Sequence, residues 1–121
     1  MSFNVRKIAD RVKRDGGISI NHEGEEPRLG YMVCEFPEYE VRVASILSAV
    51  LVVHLKQFLD DHFLLLAHGH RYLGIWVDVY AGEIVIDVST CVRQLDYALD
   101  KARKNKQLAV FDVANLKEIW V

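Results

Sequence analysis

The run Tyr72-Leu73-Gly74-Ile75-Trp76-Val77-Asp78-Val79-Tyr80, then Ala81-Gly82, then Glu83-Ile84-Val85-Ile86-Asp87-Val88 decides the fold. Apolar residues alternate with polar or aromatic ones on both sides of a turn dipeptide, the period-two signature of a β-hairpin with one face in a core. With Ala81-Gly82 as the turn, Val79 faces Ile84, Val77 faces Ile86 and Ile75 faces Val88, and one face is wholly apolar. The opposite face carries Tyr72, Trp76, Asp78, Tyr80, Glu83, Val85 and Asp87. Rings and carboxylates sharing a sheet surface have interface composition, because aromatic side chains supply large contact area at small entropic cost. Either that face meets a partner, or a helix or loop of the chain packs over it.

Upstream of the hairpin, Ala44 to Leu59 reads as a helix that is apolar around most of its circumference, with Ile46, Leu47, Ala49, Val50, Leu51, Val52, Val53, Leu55, Phe58 and Leu59. A sheet face covers only part of such a helix. The rest is buried by other helices or by a second copy of the chain; in the second case Leu47, Val50, Leu51, Val53, His54 and Phe58 form the dimer interface. Ahead of it, Pro37-Glu38 reads as the turn of another hairpin, with Phe36 opposite Tyr39, Cys34 opposite Val41 and Met32 opposite Val43. That register sets Glu35 against Glu40, a like-charge cost that a diagonal Arg42 relieves. Ile18-Ser19-Ile20 begins a strand, and the loop after it is acidic through Glu23, Glu25 and Glu26. The first helix, about Phe3 to Arg14, puts Val5, Ile8, Ala9 and Val12 on one face and stops at Gly16-Gly17.

Downstream, Ser89 or Thr90 is the expected cap of a helix that runs to about Lys104 with Leu95, Ala98, Leu99 and Ala102 inward. Gln107 to Val113 and Glu118 to Val121 read as strands around a turn. The resulting order α-β-β-β-α-β-β-α-β-β implies a single α+β domain over residues 1–121, an antiparallel or mixed sheet with about three helices on one side.

Composition fits that reading: 121 residues, 51% hydrophobic against 26% charged, suit one folded core. A net charge of −2 lacks the basic excess of non-specific nucleic-acid binding, so nucleic acid is not the expected partner. Charge alternates along the chain, +5 and −2 over residues 1–20 but +1 and −6 over residues 21–40. Val43 to Val53 is too short to span a bilayer and no signal-peptide pattern opens the chain, so no membrane association is expected. Cys34 and Cys91 sit in apolar stretches and are too few for a disulfide scaffold, which points to a reducing, cytoplasmic compartment.

Catalytic signatures are lacking. No Walker loop, GxGxxG, GxSxG, HExxH or CxxC pair occurs. His62, His68 and His70, with Asp60 or Asp61, are the nearest approach to a metal set, but their spacing matches no zinc framework, and no metal or cofactor is expected. Asp78, Asp87 and Asp112 are either a carboxylate cluster or solvated strand acids that discourage edge pairing. No catalytic residue is assigned.

Five short strings are spread along the chain: Gly16-Gly17-Ile18-Ser19, Gly30-Tyr31-Met32-Val33, Tyr72-Leu73-Gly74-x-Trp76-Val77-Asp78, Asp87-Val88-Ser89 and Gln107-x-Ala109-x-x-Asp112-x-x-Asn115-x-x-Glu118-Ile119. Together they resemble a small domain of unknown function found in phage and mobile-element proteins, including large polyvalent ones. The matching residues are strand, turn and cap positions, so the resemblance implies a fold and a genomic setting and transfers no catalytic residue. In that setting the expected function is a protein-binding inhibitor of a host defence system, anti-CRISPR-like, acting in the host cytoplasm on a host protein or complex. It would act by steric occlusion, with Glu23, Glu25, Glu26, Asp78, Glu83 and Asp87 mimicking nucleic-acid phosphate and Tyr72, Trp76 and Tyr80 as anchors. The alternatives are a small enzyme or toxin-like domain using the Asp and His residues, and a nucleic-acid regulator using Arg6, Arg11, Lys13, Arg14, Arg103 and Lys104.

Overall fold

A computed structural model describes residues 3–45, 47–68 and 70–121. Ile46 of the expected second helix and Gly69 of the His68-Gly69-His70 run lie outside the described residues. The chain forms helices α1 (Val5–Asp15), α2 (Ser48–Asp61), α3 (Phe63–Leu66) and α4 (Leu95–Lys104). Its strands are β1 (Gly17–Ile20), β2 (Tyr31–Cys34), β3 (Val41–Val43), β4 (Arg71–Asp78), β5 (Glu83–Val92), β6 (Ala109–Asp112) and β7 (Lys117–Trp120). They make one sheet in the order β1-β4-β5-β2-β6-β7, with β3 also on β5. Every pairing is antiparallel, and the α+β class holds.

The central hairpin forms with its faces as expected and its register moved by two residues. Val77 pairs with Ile84, Ile75 with Ile86 and Leu73 with Val88. A slip of two preserves which side chains share a face, so the hydrophobic pattern cannot distinguish the two registers. Turn chemistry does: the Asp78 carboxylate accepts from the Tyr80 and Ala81 amides, both at 3.1 Å, and Gly82 takes φ 68° while its N–H reaches the Asp78 carbonyl at 2.9 Å. The loop is therefore Val79–Gly82, and Val79 leaves the core for solvent at 75% exposure.

The expected Pro37-Glu38 hairpin does not form. Its two arms instead lie end to end along the edge of β5, with Cys34 opposite Ser89 and Val41 opposite Ile86. Between them the chain leaves the ladder after Glu35, whose N–H reaches the Val88 carbonyl at 2.9 Å, and loops out as a 3-10 turn over Pro37–Tyr39. Proline has no N–H to give a ladder, so it fits this excursion. Glu35 and Glu40 thus never face each other. A second correction follows from the length of β5: Ser89 and Thr90 are buried strand residues, and α4 starts after Gln94.

Since paired residues share a face, the ladders place both helix-covered hydrophobic clusters on one side of the sheet. Ile18, Val43, Leu73, Ile75, Ile84, Ile86 and Val88 lie under α1, α2 and α3. Val33 and Val110 lie under α4, where Ala98 and Ala102 permit close approach. In α1, the Asn4 side chain caps Lys7 N–H at 3.1 Å, and Gly16 at φ 83° returns its N–H to the Val12 carbonyl at 2.9 Å. Within α2, the buried positions are Leu51, Leu55, Phe58 and Leu59. Each such side chain contributes roughly 1.5–3 kcal/mol by burial. The single-turn helix α3, absent from the sequence reading, exists to bury Leu66.

Candidate functional site: the helix-free face of the sheet

The other side of the sheet carries no helix among the described residues, and the ladders specify its composition. Trp76 stands between Gly17 and Val85, and Gly74 between Ser19 and Asp87. Arg42 is opposite Val85, Met32 is opposite Cys91 and Phe111, and Trp120 is opposite Ala109. Val85, Asp87, Ser89, Met32 and Cys34 form a buried floor. Rings stand at its two ends: Trp76 and Phe111 are each 36% exposed, and Trp120 is 65% exposed. The ladder hydrogen bonds fix the backbone beneath these rings.

Asp87 is built into the floor. Ser89 Oγ donates to its Oδ1 at 2.7 Å. Gly74, directly across the ladder, leaves the space the carboxylate fills, since a Cβ there would collide with Oδ1. Burial pushes the carboxyl up to about 7, against the Ser89 hydrogen bond and the Trp76 indole N–H, which favour the charged form. Glu40 adds to the upward shift by like charge. Neighbouring Cys34 is pushed up to about 12, by burial first and then by the charges of Asp87 and Glu40, so it is a protonated, inert thiol.

Asp78 and Glu83 end the hairpin on this face, and Arg42 holds both at 3.2 Å, with Glu40 at 3.3 Å from the same guanidinium. The backbone amide of Ala81, then Arg42, then the amide of Tyr80 keep Asp78 below the usual carboxylate range. Three carboxylates share one guanidinium, so the cluster keeps a net negative charge. Tyr80 stands on the loop in solvent, and Tyr72 is half-buried with its phenol pushed up by burial.

The loop bearing Glu23, Glu25 and Glu26 crosses from β1 to β2 at the far end of this face. Asn21 Oδ1 accepts from the Glu23 and Glu25 amides at 3.0 and 2.9 Å, leaving both side chains in solvent. Glu26 is tied by a two-point ion pair to Arg11 of α1 at 2.8 and 3.0 Å. Asp112 points to the helix side, where Asn115 holds it at 2.8 Å and keeps it below the usual range, so of the two alternatives the Asp78, Asp87 and Asp112 cluster does not assemble. Of the α2 residues singled out in sequence, Leu51 and Phe58 are core and Val50 is half-buried, whereas Leu47, Val53 and His54 face solvent. His62 is packed between Tyr39 and Phe58, and His68 Nδ1 contacts the Leu64 carbonyl at 2.8 Å. Among the described residues no group of three His, Cys, Asp or Glu side chains is placed to hold a metal ion.

Phe111 and Trp120 belong to this face and were not read from the sequence as members of it. Carrying the period-two alternation through Ala109-Val110-Phe111 and Ile119-Trp120 would have placed both rings. No family model, no curated protein and no solved structure matches the chain. Among the described residues no helix is long and apolar enough to cross a membrane.

Proposed function

We propose that the chain is a protein-binding inhibitor that docks through the helix-free face and blocks its partner sterically. The observation that carries this reading is the pair of aromatic anchors, Trp76 at one end and Phe111 with Trp120 at the other, on a floor too well sealed to need covering. Anchors of this kind are enriched where protein surfaces bind tightly. The acidic component comes from Glu23 and Glu25 and from the residual charge of the Arg42 cluster, which steer a basic surface towards the face. Buried Asp87 supplies no surface charge and acts as floor. With the phage or mobile-element setting implied by the resemblance, the partner is a basic groove of a host defence complex in the cytoplasm, as for anti-CRISPR proteins.

Expression in a host with an active nucleic-acid-guided defence system tests this. The chain should raise phage plating by orders of magnitude and co-purify with the defence complex, and Trp120→Asp should lose both effects. Unchanged plating would end the defence assignment, and retention of the partner by Trp120→Asp would remove the sheet face from the interface. Exposed Val53 on α2 and Leu47 just before it favour one further reading, a weak homodimer. Sedimentation should then show concentration-dependent association that Val53→Lys abolishes.

A further inference from the structure

β7 is an outer strand of the sheet, and among the described residues its ladder partner is β6 alone. In an antiparallel ladder the backbone N–H and C=O of alternate residues turn to the same side. Val121 gives its N–H to the Leu108 carbonyl at 2.9 Å, so Ile119 and Lys117 also turn towards β6, opposite Val110 and Asp112. Glu118 and Trp120 therefore aim their N–H and C=O groups outward, away from β6. Exposed apolar side chains gather at the same place. Of the fifteen large hydrophobic residues left exposed among the described ones, five, Leu108, Phe111, Leu116, Trp120 and Val121, fall within residues 108–121. The opposite edge differs: no residue of β1 is exposed, whereas three of the four in β7 are. β7 has neither a proline nor a bulge, and Lys117 and Glu118 are its only charges.

A second copy of the chain matches this edge when a twofold axis perpendicular to the sheet passes beside Ile119. Glu118 then pairs with Trp120 of the second copy, and Trp120 with its Glu118, so the outward donors meet the outward acceptors. Ile119 meets Ile119 of the second copy in the close, non-hydrogen-bonded position and extends the apolar row that Val110 begins. Lys117 lies opposite Val121 of the second copy, where its stem covers the valine and its charge stays in water. No charge faces its like. Moving the axis to Glu118 would set that carboxylate on its own copy, and the next pair would need Leu116, whose φ of 52° takes it out of the strand.

We propose that β7 is a self-association edge, through which two copies of the chain join antiparallel about this axis into one continuous sheet. The axis keeps both helix-free faces on the same side, with Phe111 and Trp120 of each copy near the centre. Pairing needs no other protein and does not rest on the docking reading. An interface one strand wide belongs to the weak class, with dissociation in the micromolar to millimolar range. Sedimentation and NMR hydrogen exchange on the full chain test it, and every sample carries Val53→Lys so that α2 does not contribute. The chain should still dimerise, and at about 1 mM the Glu118 and Trp120 amides should exchange at least ~5-fold more slowly than in dilute samples, while the Ile119 amide, already turned to β6, changes less. Glu118→Pro removes an outward N–H and no bond to β6, so it should give a folded monomer. Should circular dichroism show that the proline disturbs the hairpin, Trp120→Lys at an exposed position decides instead and should likewise be monomeric. A monomer at about 1 mM, association that leaves the Glu118 and Trp120 amides unprotected, or a folded edge variant that still dimerises would overturn the proposal.

Discussion

Gly74 lies directly across the ladder from Asp87, and the space where its side chain would be is the space the Asp87 carboxylate occupies. The floor of the helix-free face therefore depends on one residue having no Cβ. Gly74→Ala should destabilise the fold by about 1–3 kcal/mol, the usual cost of overpacking a closed site, measured by urea denaturation. In an Asp87→Ala background the same change should cost much less, and a double-mutant cycle would read the coupling directly. Equal costs in both backgrounds would show that the carboxylate does not fill that space.

Asp87 also makes stability depend on pH in the direction opposite to most acids. Its carboxyl is raised to about 7 in the folded chain, against about 3.9 when unfolded. The folded state therefore holds the proton more tightly. The associated stability is complete below about pH 4 and is lost as pH rises through about 7, a change on the order of 4 kcal/mol. Cys34, near 12, stays protonated throughout that window. Urea midpoints should fall between about pH 5 and about pH 8, and Asp87→Asn should flatten the curve. A midpoint that rises over that interval would contradict the assigned shift.

The hairpin shows where sequence reading stops. Alternation from Leu73 to Val88 determines the two faces, but period two is blind to a slip of two, and only the Asp78 turn contacts select the register. Proximity in sequence sets Cys34 opposite Val41, whereas a ten-residue β5 offers both a longer edge. Of the site, Trp76 and the Arg42-bound acids were visible as a pattern. Asp87 looked like surface, because its burial depends on Gly74 and the Trp76 ring across the ladder, long-range facts that a one-dimensional pattern does not carry.

Leu116 carries a correctable strain. It sits in the turn between β6 and β7 at φ 52°, a left-handed conformation that disfavours a residue with a Cβ, and its side chain is exposed. Leu116→Gly should stabilise the fold by roughly 0.5–1 kcal/mol, read as a higher thermal midpoint. A lower midpoint would mean that the leucine side chain does more for the turn than its exposure implies.

Trp76 and Trp120 stand at opposite ends of one floor, so they test the docking face independently. Trp76 also shields Asp87, and Trp76→Ala is expected to cost fold stability as well as affinity. Trp120 is mostly exposed on an outer strand, and its substitution should leave the fold intact. Desolvated aromatic anchors typically carry about 2 kcal/mol or more each, so each alanine variant should weaken binding to the captured partner at least ~30-fold. The loss should appear as faster dissociation. Glu25→Gln removes a rim charge that makes no ion pair among the described residues, and it should chiefly slow association and flatten its salt dependence. Surface plasmon resonance separates the two rates, and circular dichroism checks each fold. If Trp120→Ala binds like the unsubstituted protein while Trp76→Ala fails only in proportion to its lost stability, the face is a structural floor and the partner sits elsewhere.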